Sequence, residues 1–195
     1  MDAHAWDERY AASDLVWSAE PNLFVASELA DLEPGRALDL AAGEGRNAIW
    51  LARRGWEVTA ADFSQVALDK GRGLAGETPV RWVRADATRW DEPAAYDLAV
   101  VAYLQLAAPE RRAALRAAYD SLVEGGTLLL VAHDSSNLDE GTGGPQDPRV
   151  LMTAADVLED LDDLPFDVLH AGRVGRSVGD LTAWDCLVRL VRRPG

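Results

Sequence analysis

The stretch Leu38-Asp39-Leu40-Ala41-Ala42-Gly43-Glu44-Gly45-Arg46-Asn47 joins an apolar run to a helical pattern through two closely spaced glycines. Glycines allow the tight turn and let backbone N–H groups approach a ligand with no Cβ in the way. The helix start behind them carries partial positive charge suited to a carboxylate or phosphate. About twenty residues later Asp62 ends a second apolar run, placed to accept hydrogen bonds from both hydroxyls of a ribose. The spacing therefore points to a nucleoside-bearing ligand. The alternative is structural: a tight glycine turn, with Asp62 capping the helix that follows.

Gly43, Gly45 and Ala48 also fit the G-x-G-x-x-A pattern of dinucleotide sites, so an NAD-dependent oxidoreductase is a competing reading. Three features oppose it. Asp39 lies inside the end of the first strand, where a dinucleotide site keeps an apolar residue. A carboxylate there can instead order the glycine loop and face the ammonium of a methionine moiety. Asp86-Ala87 offers a further acidic contact at the height of an adenine amino group. The chain also leaves no room for a second domain to hold a hydride acceptor, and it has no Tyr-x-x-x-Lys pair.

Few other residues are equipped for chemistry. His133 is the one well-placed histidine, either a general base or a strand-end residue bonded to backbone. Asp134 starts a loop and has no companion Asp/Asn cluster, so no metal site is expected. Lys70 is the only lysine and Cys186 the only cysteine, which excludes an internal disulfide and a cysteine-rich zinc site. Tyr103 and Gln105 are candidate contacts to the ligand or its reaction partner, with Leu104 and Leu106 as wall. Arg149, Arg173 and Arg176 either grip an anionic substrate or lie solvated. The absence of a compelling acid–base constellation keeps open a non-catalytic, ligand-binding protein.

The elements that must position these residues follow from periodicity. A helix is predicted over about 22–31, stopped by Pro34-Gly35. Strands are predicted at Ala37–Leu40, Glu57–Ala61, Val80–Val83, Asp97–Ala102 and Thr127–Ala132. Helices are predicted at Gly45–Arg54, from an N-cap at Ser64 to about Arg72, and from Pro109 to about Leu122. After the fifth strand, His133–Arg149 reads as a long loop of the kind that is usually functional. A helix over about Thr153–Leu161 and an antiparallel pair, Phe166–Ala171 with Ala183–Leu190, close the chain. This is an α/β, Rossmann-like, doubly wound sheet, which binds its ligand beyond the carboxyl ends of the strands.

Length and charge set the outer bounds. The 195 residues fit one domain, and a net charge of −14 repels a phosphate backbone, so no nucleic-acid partner is expected. The N-terminus lacks the features of a signal peptide, and no apolar run nears the ~18 residues that span a bilayer. No membrane association is expected, and the protein is read as soluble and cytoplasmic, a monomer or homodimer.

Leu38 to Asn47, Asp62-Phe63-Ser64 and Asp86-Ala87 resemble the cofactor motifs of class I S-adenosylmethionine-dependent methyltransferases. Within that superfamily, Trp6-Asp7-Glu8-Arg9-Tyr10, Trp17, Pro21-Asn22 and Gly45-Arg46-Asn47 resemble the small tellurite-resistance and thiopurine-type enzymes. The resemblance implies a seven-stranded sheet of order 3-2-1-4-5-7-6 with strand 7 antiparallel. It also implies S-adenosylmethionine as cofactor, with Asp39 and Gly43 toward the methionine end and Asp62 on the ribose. Asp86 and Ala87 would flank the adenine with Phe63 packed against it, and Ala41, Gly45, Ser64, Tyr10, Trp17 and Tyr103 would complete the cofactor site. Ala41 and Ala42 depart from the commoner Gly and Cys. The implied division is an N-terminal helical lid (1–33), a cofactor-binding core (34–133) and an acceptor-side loop, helix and terminal hairpin (134–195). The implied reaction is in-line methyl transfer to a small molecule, a thiol or chalcogen oxyanion, with a hydroxyl acceptor and His133 as base the alternative. The tellurite-type enzymes carry a histidine-arginine pair near the C-terminus, whereas Val174-Gly175-Arg176-Ser177 supplies the arginine alone.

Overall fold

The computed structural model describes residues 3–13, 15–16 and 18–195. In chain order the elements are α1 (Ala3–Ala11), α2 (Leu23–Glu28), β1 (Arg36–Leu40), α3 (Arg46–Arg53), β2 (Glu57–Asp62), α4 (Gln65–Ala75) and β3 (Val80–Arg84). There follow β4 (Tyr96–Ala102), α5 (Ala108–Asp120), β5 (Leu122–His133), α6 (Asn137–Glu140), α7 (Ala154–Asp160), β6 (Phe166–Val178) and β7 (Leu181–Arg192). The sheet order is β3-β2-β1-β4-β5-β7-β6. Neighbours run parallel except β7, which is antiparallel to both β5 and β6. Fold class, strand order and the antiparallel strand are those expected from the sequence.

Side chains of a strand alternate between the two faces of the sheet, so a strand buried on both faces is apolar throughout. Leu38 and Leu40 of β1 join Leu128 and Leu130 of β5 and pack against Leu115 of α5 and Val157 of α7. Ala37 of β1, with Leu129 and Val131 of β5, turns the other way onto Leu51 of α3 and Val25 of α2. Helix starts are set locally. The Asn22 side chain accepts from Phe24 N and Val25 N, and Ser64 Oγ accepts from Ala67 N at 3.1 Å. Thr153 and Asp156 form a reciprocal cap on α7.

The structure departs from the expected boundaries at three places. β5 begins at Leu122, so Gly125-Gly126 lies within the strand, beside a register shift between Tyr96 and Leu98. β6 and β7 form one long hairpin turning at Gly179-Asp180, because β6 is an edge strand whose ladder continues through exposed polar residues where no apolar run marks it. Residues 134–149 contain α6 and lead into a 3-10 turn at Pro148–Val150. Asn137 anchors this segment: its Oδ1 accepts from Trp184 N at 2.7 Å and its Nδ2 donates to Gly143 O at 2.9 Å. Among the described residues no helix is long and apolar enough to cross a membrane.

Candidate functional site

A cleft opens beyond the carboxyl ends of β1, β2 and β4, where open α/β sheets bind their ligands. Its floor is the turn from β1 to α3. Ala41, Gly43 and Gly45 all have positive φ, at 62°, 56° and 76°. Gly43 N donates to Asp62 Oδ2 at 2.8 Å, and Ser64 N donates to Asp62 Oδ1 at 2.8 Å. One carboxylate thus ties the glycine turn to the start of α4 while still lining the cleft. Burial raises the Asp62 carboxyl above its ordinary pKa, against the two N–H groups that stabilise the anion.

Asp39 lies beneath this floor. It is 1% exposed, and its Oδ2 accepts from Ala48 N at 2.9 Å, fixing the first turn of α3. Its Oδ1 has no hydrogen-bond partner. Burial pushes its pKa up to about 7, with the Ala48 N–H and Arg46 pulling in the opposite direction. Asp39 therefore bears on the cleft through the position of α3, and is not among the groups that line it. Gly45 is likewise a packing residue: a Cβ there would lie 2.3 Å from the Trp82 ring.

The rim is built from β2, β3 and α1. Phe63, Asp86 and Ala87 line one wall, and Asp86 Oδ1 accepts from Thr88 N at 2.9 Å and Thr88 Oγ1 at 2.8 Å. Trp6 and Tyr10 of α1, their rings 5.6 Å apart, line the wall above. Helix α1 is tied to α4 at two points: Asp7 hydrogen-bonds Ser64 Oγ, and Lys70 Nζ donates to Tyr10 O and Ser13 O. Lys70 also pairs with buried Glu44 at 3.6 Å, and Glu44 Oε2 accepts from Val16 N at 3.0 Å. The only lysine therefore serves to seat the N-terminal segment.

A second cavity adjoins the cleft at Gln105 and is lined by Arg9, His133, Arg176 and the 142–147 segment. A third shares Arg46 and Tyr103 with the cleft and reaches Asn22, His133 and Arg176. Between them sits a polar cluster around Asp185, which is 0% exposed. Asp185 Oδ2 accepts from the Tyr103 hydroxyl at 2.8 Å and from Arg176 Nε at 3.0 Å. Asp185 Oδ1 stands 3.4 Å from His133 Nδ1. Asn22 Nδ2 donates to the Tyr103 oxygen at 3.2 Å, and Asn22 N donates to Asn47 Oδ1 at 2.9 Å. Burial, then the Asp185 charge, pushes the Tyr103 phenol up to about 12.

Of the residues singled out from sequence, Ala41, Gly43, Asp62, Phe63, Asp86, Ala87, Tyr10 and Tyr103 line the cleft together. Asp39, Gly45 and Ser64 sit behind it, and Trp17 lies outside the described residues. His133 faces the adjoining cavities; its ring packs 4.7 Å from that of Tyr103. Arg176 lines the same space, whereas Arg149 pairs with Asp147, and Arg173 pairs with Glu140 and lies over Trp184. Glu44, Asn47 and Asp185 were not anticipated. The legible signal for Asp185 was a lone carboxylate between apolar residues of a strand.

Residues 37–126 match the family model described as a methyltransferase domain. A demethylmenaquinone methyltransferase of Clavibacter sepedonicus is 54% identical over 54 residues, 27% of this chain and 22% of that protein. The chain thus aligns with about a fifth of that curated relative's length. The N-methyltransferase NodS of Bradyrhizobium japonicum WM9, solved with S-adenosyl-L-homocysteine, superposes with a TM-score of 0.77 at 16% identity over 100% of both chains. TehB of Haemophilus influenzae superposes with a TM-score of 0.71 at 17% identity, covering 87% of this chain and 61% of that one. The glycopeptide N-methyltransferase MtfA, complexed with S-adenosyl-L-methionine, gives 0.69 at 22% identity over 91% of this chain and 89% of that one. The family-model match covers residues 37–126, and the sheet that carries them has the fold of these solved structures.

Proposed function

We propose that this chain is a class I S-adenosylmethionine-dependent methyltransferase that methylates a small molecule seated where the cleft meets the His133 cavities. The observation that carries this reading is the coupling of Gly43 to Asp62 in a cleft walled by Phe63 and Asp86-Ala87. The residues present fit the cofactor. Asp62 keeps free lone pairs for ribose hydroxyls, Asp86 and Ala87 stand where an adenine would lie, and Phe63 offers a ring face. The turn at Ala41 and Gly43 serves the methionine end, with Asp39 acting from beneath through α3. Trp6 and Tyr10 belong to an N-terminal helical lid (1–33), over a core (34–133) and an acceptor side (134–195). Aromatic faces there attract a sulfonium by ~0.5–2 kcal/mol.

When bound, S-adenosylmethionine supplies an already activated methyl group. The protein's own task is to align donor and acceptor and exclude water, which is worth ~7–11 kcal/mol of the barrier. The acceptor is a thiol or chalcogen oxyanion, as in the tellurite-resistance and thiopurine-type enzymes that the N-terminal motif and Gly45-Arg46-Asn47 resemble. A hydroxyl acceptor is the second reading, favoured by the position of His133 beside Asp185. We place the protein in the cytoplasm as a monomer or homodimer.

Calorimetry with S-adenosylmethionine and S-adenosyl-L-homocysteine tests the cofactor assignment; binding of NAD in place of both sinks it. A panel of thiols, selenite, tellurite and phenols, read by S-adenosyl-L-homocysteine release, tests the acceptor class.

A further inference from the structure

We infer that His133, positioned by Asp185, is the general base for an acceptor that enters with a proton on its attacking oxygen or sulfur. The inference rests on the methyl-transfer reading above and narrows its acceptor to a hydroxyl or thiol.

Asp185 is a fully buried carboxylate whose two oxygens are used differently. Oδ2 accepts from Tyr103 and Arg176, while Oδ1 has no hydrogen-bond partner. His133 Nδ1 stands 3.4 Å from Oδ1, and that atom also lacks a partner. Leaving a buried donor or acceptor unpaired costs ~1–3 kcal/mol. A small turn of the imidazole brings a proton on Nδ1 onto Oδ1 and satisfies both atoms, and catalytic hydrogen bonds are commonly long or poorly aligned before ligand binds. With the proton on Nδ1, Nε2 is the ring's acceptor atom.

The surroundings hold this geometry. Tyr103 has φ of 56°, an uncommon backbone conformation for a bulky side chain, and such strain persists where neighbours enforce it. Its ring packs against one side of the imidazole. Gly144 packs closely on the ring as well: a Cβ there would stand 3.0 Å from His133 Nδ1. The charged groups around the ring are Asp185 from β7, Arg176 from β6, Arg46 from α3, Arg9 from α1 and Asp147 from the 142–147 segment. The carboxylates favour the imidazolium and the guanidiniums oppose it.

The step balances without another reactant. The acceptor's O–H or S–H proton passes to Nε2, and the electron pair it leaves forms the bond to the methyl carbon. The sulfonium–methyl bond breaks with its pair returning to sulfur, which becomes a neutral thioether. The positive charge lost by sulfur appears on His133, beside Asp185.

Imidazole ¹⁵N NMR of the full-length protein without ligand tests this, and His133→Gln assigns the signals among the three histidines. The expected result is the Nδ1–H tautomer with Nε2 unprotonated. Asp185→Asn places an amide N–H where the carboxylate accepted, so it should shift the ring to the Nε2–H tautomer. A wild-type Nε2–H tautomer overturns the inference, and so does a folded Asp185→Asn protein with an unchanged tautomer. If that variant does not fold, the wild-type tautomer decides alone. Wild-type S-adenosyl-L-homocysteine binding is the separate arm: its loss overturns the methyl-transfer reading, whereas its presence with the wrong tautomer overturns only the assignment of the base.

Discussion

Asp39 carries a carboxyl whose pKa rises from 3.8 to about 7 on burial, and that has a measurable consequence. The folded state binds this proton more tightly than the unfolded chain does. The contribution to stability is therefore full below the unfolded value and is lost as pH rises toward about 7. Asn at this position keeps an oxygen for Ala48 N–H and has no charge to bury. Asp39→Asn should be more stable than wild type at pH 8, by up to about 4 kcal/mol, with the gap closing toward pH 4. Denaturant unfolding of both proteins across that range checks it, and a pH-independent gap would count against it. Ala41 offers a second test, because its φ of 62° costs an L-residue roughly 1–2 kcal/mol. Ala41→Gly should therefore stabilise the fold by about 1 kcal/mol once the greater freedom of unfolded glycine is counted, raising Tm by about 2–4 °C. Both positions were visible in the sequence because the strand–glycine–helix pattern brackets them. What Asp39 touches was not, since a residue's facing depends on a register that only the assembled sheet defines.

Helix α4 shows how elements divide this work. Ser64, Asp7 and Asp62 build its start, and Trp82 of β3 presses on its middle. Gly45 and Gly71 leave the space that this one ring fills: a Cβ on Gly71 would stand 2.5 Å from the ring and 2.9 Å from Glu44 O. Gly71→Ala gives a better helix former, yet overpacking should dominate and destabilise the protein by about 1–3 kcal/mol. Thermal unfolding checks the sign; a stabilised variant would mean the ring moves aside freely. The sequence marked α4 by its N-cap and spacing, and the parallel strands by their apolar runs. It missed the full β6–β7 hairpin because an edge strand has little apolar face to reveal it. Asp185 and the Tyr103–His133 cluster depend on that hairpin's register, so the acceptor side was the least legible part of the site.

At the scale of the whole molecule, a net charge of −14 surrounds a cleft whose proposed ligand carries a sulfonium. A surface of one sign raises the local concentration of the opposite sign, and salt screens this attraction over a Debye length of ≈ 10 Å at 0.1 M. S-adenosylmethionine has one positive charge more than S-adenosyl-L-homocysteine, and the two are otherwise nearly the same shape. The contacts proposed for Asp62, Phe63 and Asp86 are common to both, so salt should separate the general field from the local fit. Raising ionic strength from about 0.01 to 0.5 M should weaken S-adenosylmethionine binding roughly threefold and leave S-adenosyl-L-homocysteine binding nearly unchanged. Titration calorimetry of both compounds across that range measures the difference. Equal salt dependence would mean that the cations near the cleft, Arg9, Arg46 and Arg176, locally cancel the acidic field. The same cancellation would make the acceptor side hospitable to an anion in a chain whose overall charge repels one.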